Sequence, residues 1–178
     1  MLATGHVADA ASRLFLTISN PINSLKRETM ASQTTIPLNE SQAVAHILQH
    51  CRHVAVVGLS PKAHRDSYRV AEYMQAHGWR IIPINPIAAV GGARILGERV
   101  FASLTDAAQH EKIDLVDVFR HSDEVPPVVE EAIAIRAPAI WLQLGIRHDA
   151  ALQKARDAGM VTVQNLCLKV EHHALALS

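Results

Sequence analysis

Residues 53–86 read HVAVVGLSPKAHRDSYRVAEYMQAHGWRIIPINP, and the changes of texture within this stretch decide the fold. His53–Gly58 opens it as a short, continuous, valine-rich run, the pattern of a strand covered on both faces. Gly58 ends the run, and a polar loop carrying Ser60, Lys62 and Arg65 follows. Val70, Tyr73, Met74 and His77 then recur at helical spacing, with Asp66 or Ser67 placed to cap the helix and Gly78 to close it. Trp79–Ile84 is a second apolar run, and Pro83 confines that position to a strand end or a sheet edge because proline brings no N–H to a ladder. Strand, loop, helix and strand in this order make a βαβ unit with parallel strands.

The alternation continues on both sides. Upstream, Asn39 and Ser41 are N-cap candidates for a helix with Val44, Ile47 and Leu48 on one face, ending near Cys51. Downstream, residues 85–103 are rich in glycine and read as a long loop with one short strand. Thr105 is placed to cap a brief helix over residues 106–112, and Ile113–Phe119 is a third strand. Ser122 with Pro126 and Pro127 marks the start of a helix running to Ile135, since proline is tolerated in a first turn. Residues 139–145, 148–159, 160–164 and 166–177 then read as strand, helix, strand and helix. The expected fold class is α/β: a doubly wound, mostly parallel five-stranded sheet with helices on both faces. A Rossmann-like domain is expected over residues 38–178. Residues 1–37 are expected to be an N-terminal extension of little structure, with Met30 as a natural start.

Composition narrows the partners. The chain has 178 residues, zero formal net charge, 49% hydrophobic and 19% charged residues, which suits a domain with a real core and offers no electrostatic footprint for nucleic acid or an anionic membrane. Its two cysteines lie far apart without a CxxC pair, so a reducing cytoplasm is the expected setting, and the eleven histidines are scattered without metal-ligand spacing. No stretch reaches the roughly 18 apolar residues of a membrane span.

In a doubly wound sheet, ligands bind at the carboxyl ends of the strands where the strand order reverses. The loops after Val57, Ile84, Val118 and Leu144 are therefore the places to look for a site. The loop after Val57 leads into a helix amino terminus, whose free N–H groups and partial positive charge attract anions. Ser60, Lys62, Arg65 and Ser67 add hydroxyls and cations there, while Asp66 opposes an anion unless it caps the helix. The loop does not fit the GxGxxG fingerprint, because Ser60 and Ala63 stand where its second and third glycines belong. Asn85 and Pro86 stand where that fingerprint wants an acid to hold ribose hydroxyls. A GxxxxGK[ST] loop is absent. A ligand with phosphates and an already phosphorylated ribose fits what remains, and both coenzyme A and NADP answer to that description.

Here the sequence resembles the CoA-binding domain proteins, small relatives of the amino-terminal domain of the succinyl-CoA synthetase α subunit. The stretches that carry the resemblance are VVGLSPKAHRDSYRVAEYMQAHGWRIIPINP, ILGERVFASL, DLVDVFR, PPVVEEAI, WLQLGI and CLKVEH, in order, over about residues 42–175. The resemblance implies a Rossmann-like fold that binds coenzyme A or an acyl-CoA in the switch-point crevice. Gly58, Ser60, Arg65 and Ser67 match the family's pyrophosphate loop, which here also contains Leu59 and Lys62. Asn85 and Pro86 match its adenosine-side turn, Phe119 and Arg120 the loop after the third strand, and Gln143 and Gly145 the loop after the fourth. The chain departs from the family at Ala63 and His64, where a proline before the loop arginine is common, and around Gln164–Leu166. Trp141 is expected in the core and Cys167 as a small buried hydrophobe. His172 is expected to be a structural hydrogen-bonding residue, because it cannot form a catalytic dyad with its helical neighbour Glu171. The expected function is binding of coenzyme A or an acyl-CoA without catalysis. The alternatives are a CoA-ligase or transferase component needing a partner subunit, and an NADP-dependent oxidoreductase with a degenerate fingerprint. The expected partner is a small molecule; the sequence names no protein partner.

Overall fold

A computed structural model of the protein describes residues 38–176. The extension expected over residues 1–37 lies outside these residues.

Helix α1 (Glu40–His50) begins with a capping box: Asn39 Oδ1 accepts from the Gln42 N–H at 2.9 Å, and Gln42 Oε1 accepts from the Asn39 N–H at 3.0 Å. It leads into β1 (His53–Val57), α2 (Asp66–Ala76) and β2 (Arg80–Ile84). The chain then forms a short helix α3 (Pro86–Val90), an antiparallel hairpin of β3 (Arg94–Ile95) and β4 (Glu98–Arg99), and helix α4 (Leu104–Ala108). β5 (Leu115–Val118), α5 (Val125–Ala134), β6 (Ala139–Leu142), α6 (Asp149–Asp157), β7 (Val161–Val163) and α7 (Leu168–Ala176) complete the alternation.

The five main strands are parallel and lie in the order β2-β1-β5-β6-β7. The strands are short, and β1, β2, β5 and β6 are almost wholly buried because helices cover both faces, while the edge strand β7 buries only Val163 fully. On one face Val54, Val56, Leu115 and Trp141 pack beneath Ile47, Met74 and Leu168 of α1, α2 and α7. On the other, Ala55, Val57, Val116, Val118, Ile140 and Leu142 pack beneath Leu104, Val129 and Leu152 of α4, α5 and α6. Strand periodicity of two sorts the side chains between these layers. Trp141 is fully buried, with its indole N–H donating to the Leu166 carbonyl at 2.7 Å. Pro83 sits on the edge strand β2, and its carbonyl accepts from the Phe101 N–H at 2.9 Å on the outer side. Its missing N–H therefore costs the ladder nothing.

Three local expectations are corrected. Residues 85–103 hold a helix and two strands rather than a loop with one strand. α4 starts earlier than expected: Ser103, not Thr105, caps it, its Oγ accepting from the Asp106 N–H at 3.0 Å. Neither Asp66 nor Ser67 caps α2. Arg65 occupies that position, and no side chain closes the helix's first turn.

Candidate functional site at the carboxyl end of the sheet

Strand order reverses between β1 and β5, since the chain goes one way from β1 to β2 and the other way to β5. Gly58 and Phe119 follow these two strands. Gly58 adopts φ +85°, and a Cβ there would stand 2.5 Å from the Phe119 carbonyl oxygen. Its N–H donates to the Ile84 carbonyl at 3.0 Å, while the Phe119 N–H donates to the Val57 carbonyl at 2.9 Å. The ends of β1, β2 and β5 are thus drawn together at one glycine.

Beyond Gly58 the loop is tied by its own hydroxyls. Ser67 Oγ accepts from the Ser60 N–H at 3.1 Å, and Ser60 Oγ accepts from the Lys62 N–H at 3.2 Å. Ser67 is buried at 6% exposure, so its hydroxyl serves to fold the loop back over α2. The Leu59 side chain is fully buried, leaving its backbone as the part that faces the loop. Lys62, Arg65 and Asp66 are exposed around the uncapped first turn of α2. Helices α1, α3, α4 and α6 carry a side-chain cap at the amino terminus, whereas α2, which starts at the switch point, and α5 do not.

Asn85 joins this loop to the next one. Its Nδ2 donates to the Leu59 carbonyl at 2.9 Å, and its Oδ1 accepts from the Ile87 and Ala88 N–H groups, both at 3.1 Å. Pro86, exposed, is the first residue of α3, where proline's fixed φ suits helix initiation. Arg120 is partly buried beside the Gly58 backbone, with a guanidinium nitrogen 3.7 Å from Glu124. Phe119, Arg120, His121, Ser122, Gly145 and Ile146 help to line a cavity of about 420 Å³ over the ends of β5 and β6. Gly145, at φ +83°, donates its N–H to Asn165 Oδ1 at 2.8 Å.

Gln143 faces the other way. It is 3% exposed, its Nε2 donates to Asp117 Oδ1 at 2.8 Å, and its Oε1 accepts from the Leu168 N–H at 3.4 Å. Asp117 is buried at 1% exposure, and burial pushes its carboxyl up to about 7, against the lowering pull of Gln143 and the Val118 N–H. Asp117 and His121 are not among the residues the sequence singles out, and Asn165 enters only within the departure at Gln164–Leu166. For Asp117 the available signal is an acid inside the apolar run LVDVF, since a buried acid has to be provided for. His172 binds Tyr73, its Nδ1 3.2 Å from the phenol oxygen, and so fastens α7 to α2.

Residues 52–173 match the family described as "CoA binding domain". The chain belongs to this family. Among its relatives, the CoA-binding domain chain is 38% identical over 135 residues to the uncharacterized protein YneT of Bacillus subtilis, covering 75% of this chain and 96% of YneT. The solved structure of the cell-free ID.343 protein of Thermus thermophilus superposes with a TM-score of 0.71 at 33% identity, over 78% of this chain and 99% of that one. A hypothetical protein of Pyrococcus horikoshii OT3 gives 0.70 at 32% identity, over 82% and 99%. Family membership and the Rossmann-like α/β fold agree with each other. Among the described residues no helix is long and apolar enough to cross a membrane.

Proposed function

We propose that the protein binds coenzyme A, free or as a thioester, across the carboxyl ends of β2, β1 and β5. The diphosphate lies against the loop from Gly58 to Ser67, and the 3′-phosphorylated adenosine extends over Asn85 and Pro86. The observation that carries this reading is the open amino terminus of α2 beside Gly58. Its N–H groups have no side-chain cap, the two cations Lys62 and Arg65 flank it and outnumber the exposed Asp66 of the same turn, and the hydroxyls that could have capped it are engaged in shaping the loop. Membership of the CoA-binding domain family supports the choice of ligand. The role proposed is binding rather than catalysis, because the Ser60 and Ser67 hydroxyls are held by backbone N–H groups and, among the described residues, neither is hydrogen-bonded to a side-chain base.

Isothermal titration with coenzyme A, dephospho-CoA and NADP tests the proposal. Coenzyme A is expected to bind, and Arg65→Gln to weaken it by about tenfold, the value of one charge-assisted contact. Binding of NADP with none of coenzyme A overturns it.

A further inference from the structure

Arg94 and Arg99 stand directly opposite each other in the β3–β4 hairpin, and both are exposed. Like charges at directly opposed positions repel. Among the described residues neither arginine has an ion pair, since the hairpin's carboxylate, Glu98, is held by Arg80 at 2.5 Å. Other contacts orient the two guanidinium groups without neutralising them. Arg94 Nη1 donates to the Gly97 carbonyl at 2.9 Å, and the Arg99 guanidinium lies 4.6 Å above the centre of the Phe101 ring. Between this pair and α3 is a cavity of about 520 Å³, lined by Ala89, Val90, Gly92, Arg94, Arg99 and Asp106 among others. Two oriented cations without an ion-pair partner, outnumbering the one carboxylate of the cavity, Asp106, suit a dianion better than a single charge.

The cavity also lies in the right direction. From the diphosphate loop at β1, the proposed ligand runs outward over β2, and neighbouring strands are only about 4.8 Å apart. The next segment beyond β2 is Arg99–Ala102, fixed there by the bridge of Phe101 to Ile84 and by the Asn85 N–H donating to the Phe101 carbonyl at 2.9 Å. Phe101 is level with the end of β2, and the Arg99 guanidinium lies over its ring. Helix α3 starts at Pro86 and has five residues. At 1.5 Å per residue its far end, which lines the cavity, is about 7 Å from the proposed adenosine position.

We infer that Arg94 and Arg99 form a phosphomonoester subsite that receives the 3′-phosphate of the coenzyme A ribose. The inference rests on the reading of the crevice as a coenzyme A site. Asp106 Oδ2 accepts from the Ala102 N–H at 3.3 Å, and its charge confines a phosphate to the arginine side of the cavity.

The test compares coenzyme A with dephospho-CoA in the wild-type protein and in the double variant Arg94→Gln/Arg99→Gln. The wild type is expected to favour coenzyme A by on the order of ten- to a hundredfold, and the variant to bind both ligands equally, at the wild-type affinity for dephospho-CoA. Thermal melting at low salt is expected to show the variant no less stable than the wild type, because a like-charge pair has been removed. A variant that keeps the full preference overturns the subsite, and so does one that loses both ligands to the same degree. Titration of the wild type with inorganic phosphate, followed through the arginine Nε–H resonances, separates the two readings. If neither nucleotide binds but phosphate shifts Arg94 and Arg99, the coenzyme A reading falls and the phosphomonoester subsite stands. If neither nucleotide binds and those resonances stay still, both fall.

Discussion

Gly58 shows how much a single residue decides at the switch point. Its φ of +85° penalises any Cβ, and a Cβ there would also strike the Phe119 carbonyl at 2.5 Å, a backbone atom that cannot swing aside. Gly159 separates the two effects: its φ is +88°, yet nothing lies within 4 Å of a Cβ built on it. Gly159→Ala is expected to cost about 1 kcal/mol from backbone strain alone and to leave ligand binding intact. Gly58→Ala is expected to cost more, about 2–4 kcal/mol, and to abolish coenzyme A binding by forcing the ends of β1 and β5 apart. Chemical denaturation and titration calorimetry on the two variants read both effects. Equal losses of stability with binding retained would show that the close approach to Phe119 does not matter. The glycine was legible as a sequence signal, since it interrupts a valine run. Its carbonyl neighbour was not, because Phe119 is distant in the chain and only the parallel pairing of β1 with β5 brings it near.

At the scale of elements, α3 depends on one side chain. Asn85 both caps it and anchors the Leu59 carbonyl, so Asn85→Ala is expected to cost about 1–2 kcal/mol, while Asn85→Asp keeps the capping acceptor and loses the donor to Leu59. The aspartate variant is therefore expected to melt close to the wild type but to bind coenzyme A several-fold more weakly, because it sets a negative charge where a phosphorylated ribose is proposed to lie. A melting series beside a binding series distinguishes capping from ligand recognition. The main strands and long helices were legible because strands buried on both faces appear as continuous apolar runs and amphipathic helices write their period into the sequence. Residues 85–103 were not. α3 is too short to show a period, and the hairpin turns at Leu96 with φ +54° before Gly97, a conformation that turn chemistry assigns to asparagine or glycine rather than leucine. Leu96 is held there by tertiary contacts, including its carbonyl accepting from Gln75 Nε2 at 3.1 Å. Ser67 was misplaced as a cap for a related reason: the same hydroxyl can close a helix or brace a loop, and only the folded path of the loop shows which.

For the whole molecule, two acids on or beside one strand set opposite pH dependences. Asp114, just before β5, is disfavoured by burial, but hydrogen bonds from Lys112, His53 and the backbone N–H groups of Arg52 and His53 outweigh that and hold its carboxyl well below the usual range. A depressed folded-state pKa gives stability that is present above the ordinary carboxylate pKa of about 4 and disappears as pH falls below it. Asp114→Asn is therefore expected to lower stability at neutral pH and to flatten the acid limb of the stability curve. Asp117 has the opposite sign. Burial raises it to about 7, so the folded state retains a proton that the unfolded chain has already released. Its contribution is complete below about pH 4 and is lost as pH rises to about 7, on the order of a few kcal/mol over that interval. His172 works against this trend just below its ordinary value of 6.5, because burial and then the nearby His77, Arg52 and His173 lower it. Subtracting the wild-type curve from that of Asp117→Asn cancels the histidine and leaves the acid. Denaturant unfolding from pH 4 to 9 is expected to give a difference that grows in favour of Asp117→Asn up to about pH 7 and is level beyond it. The substituted amide still accepts from Gln143, so the hydrogen bond that reaches α7 through Leu168 is preserved. A difference curve without slope in that interval would mean that Asp117 is ionised in the folded protein, with its charge met by a group other than Gln143.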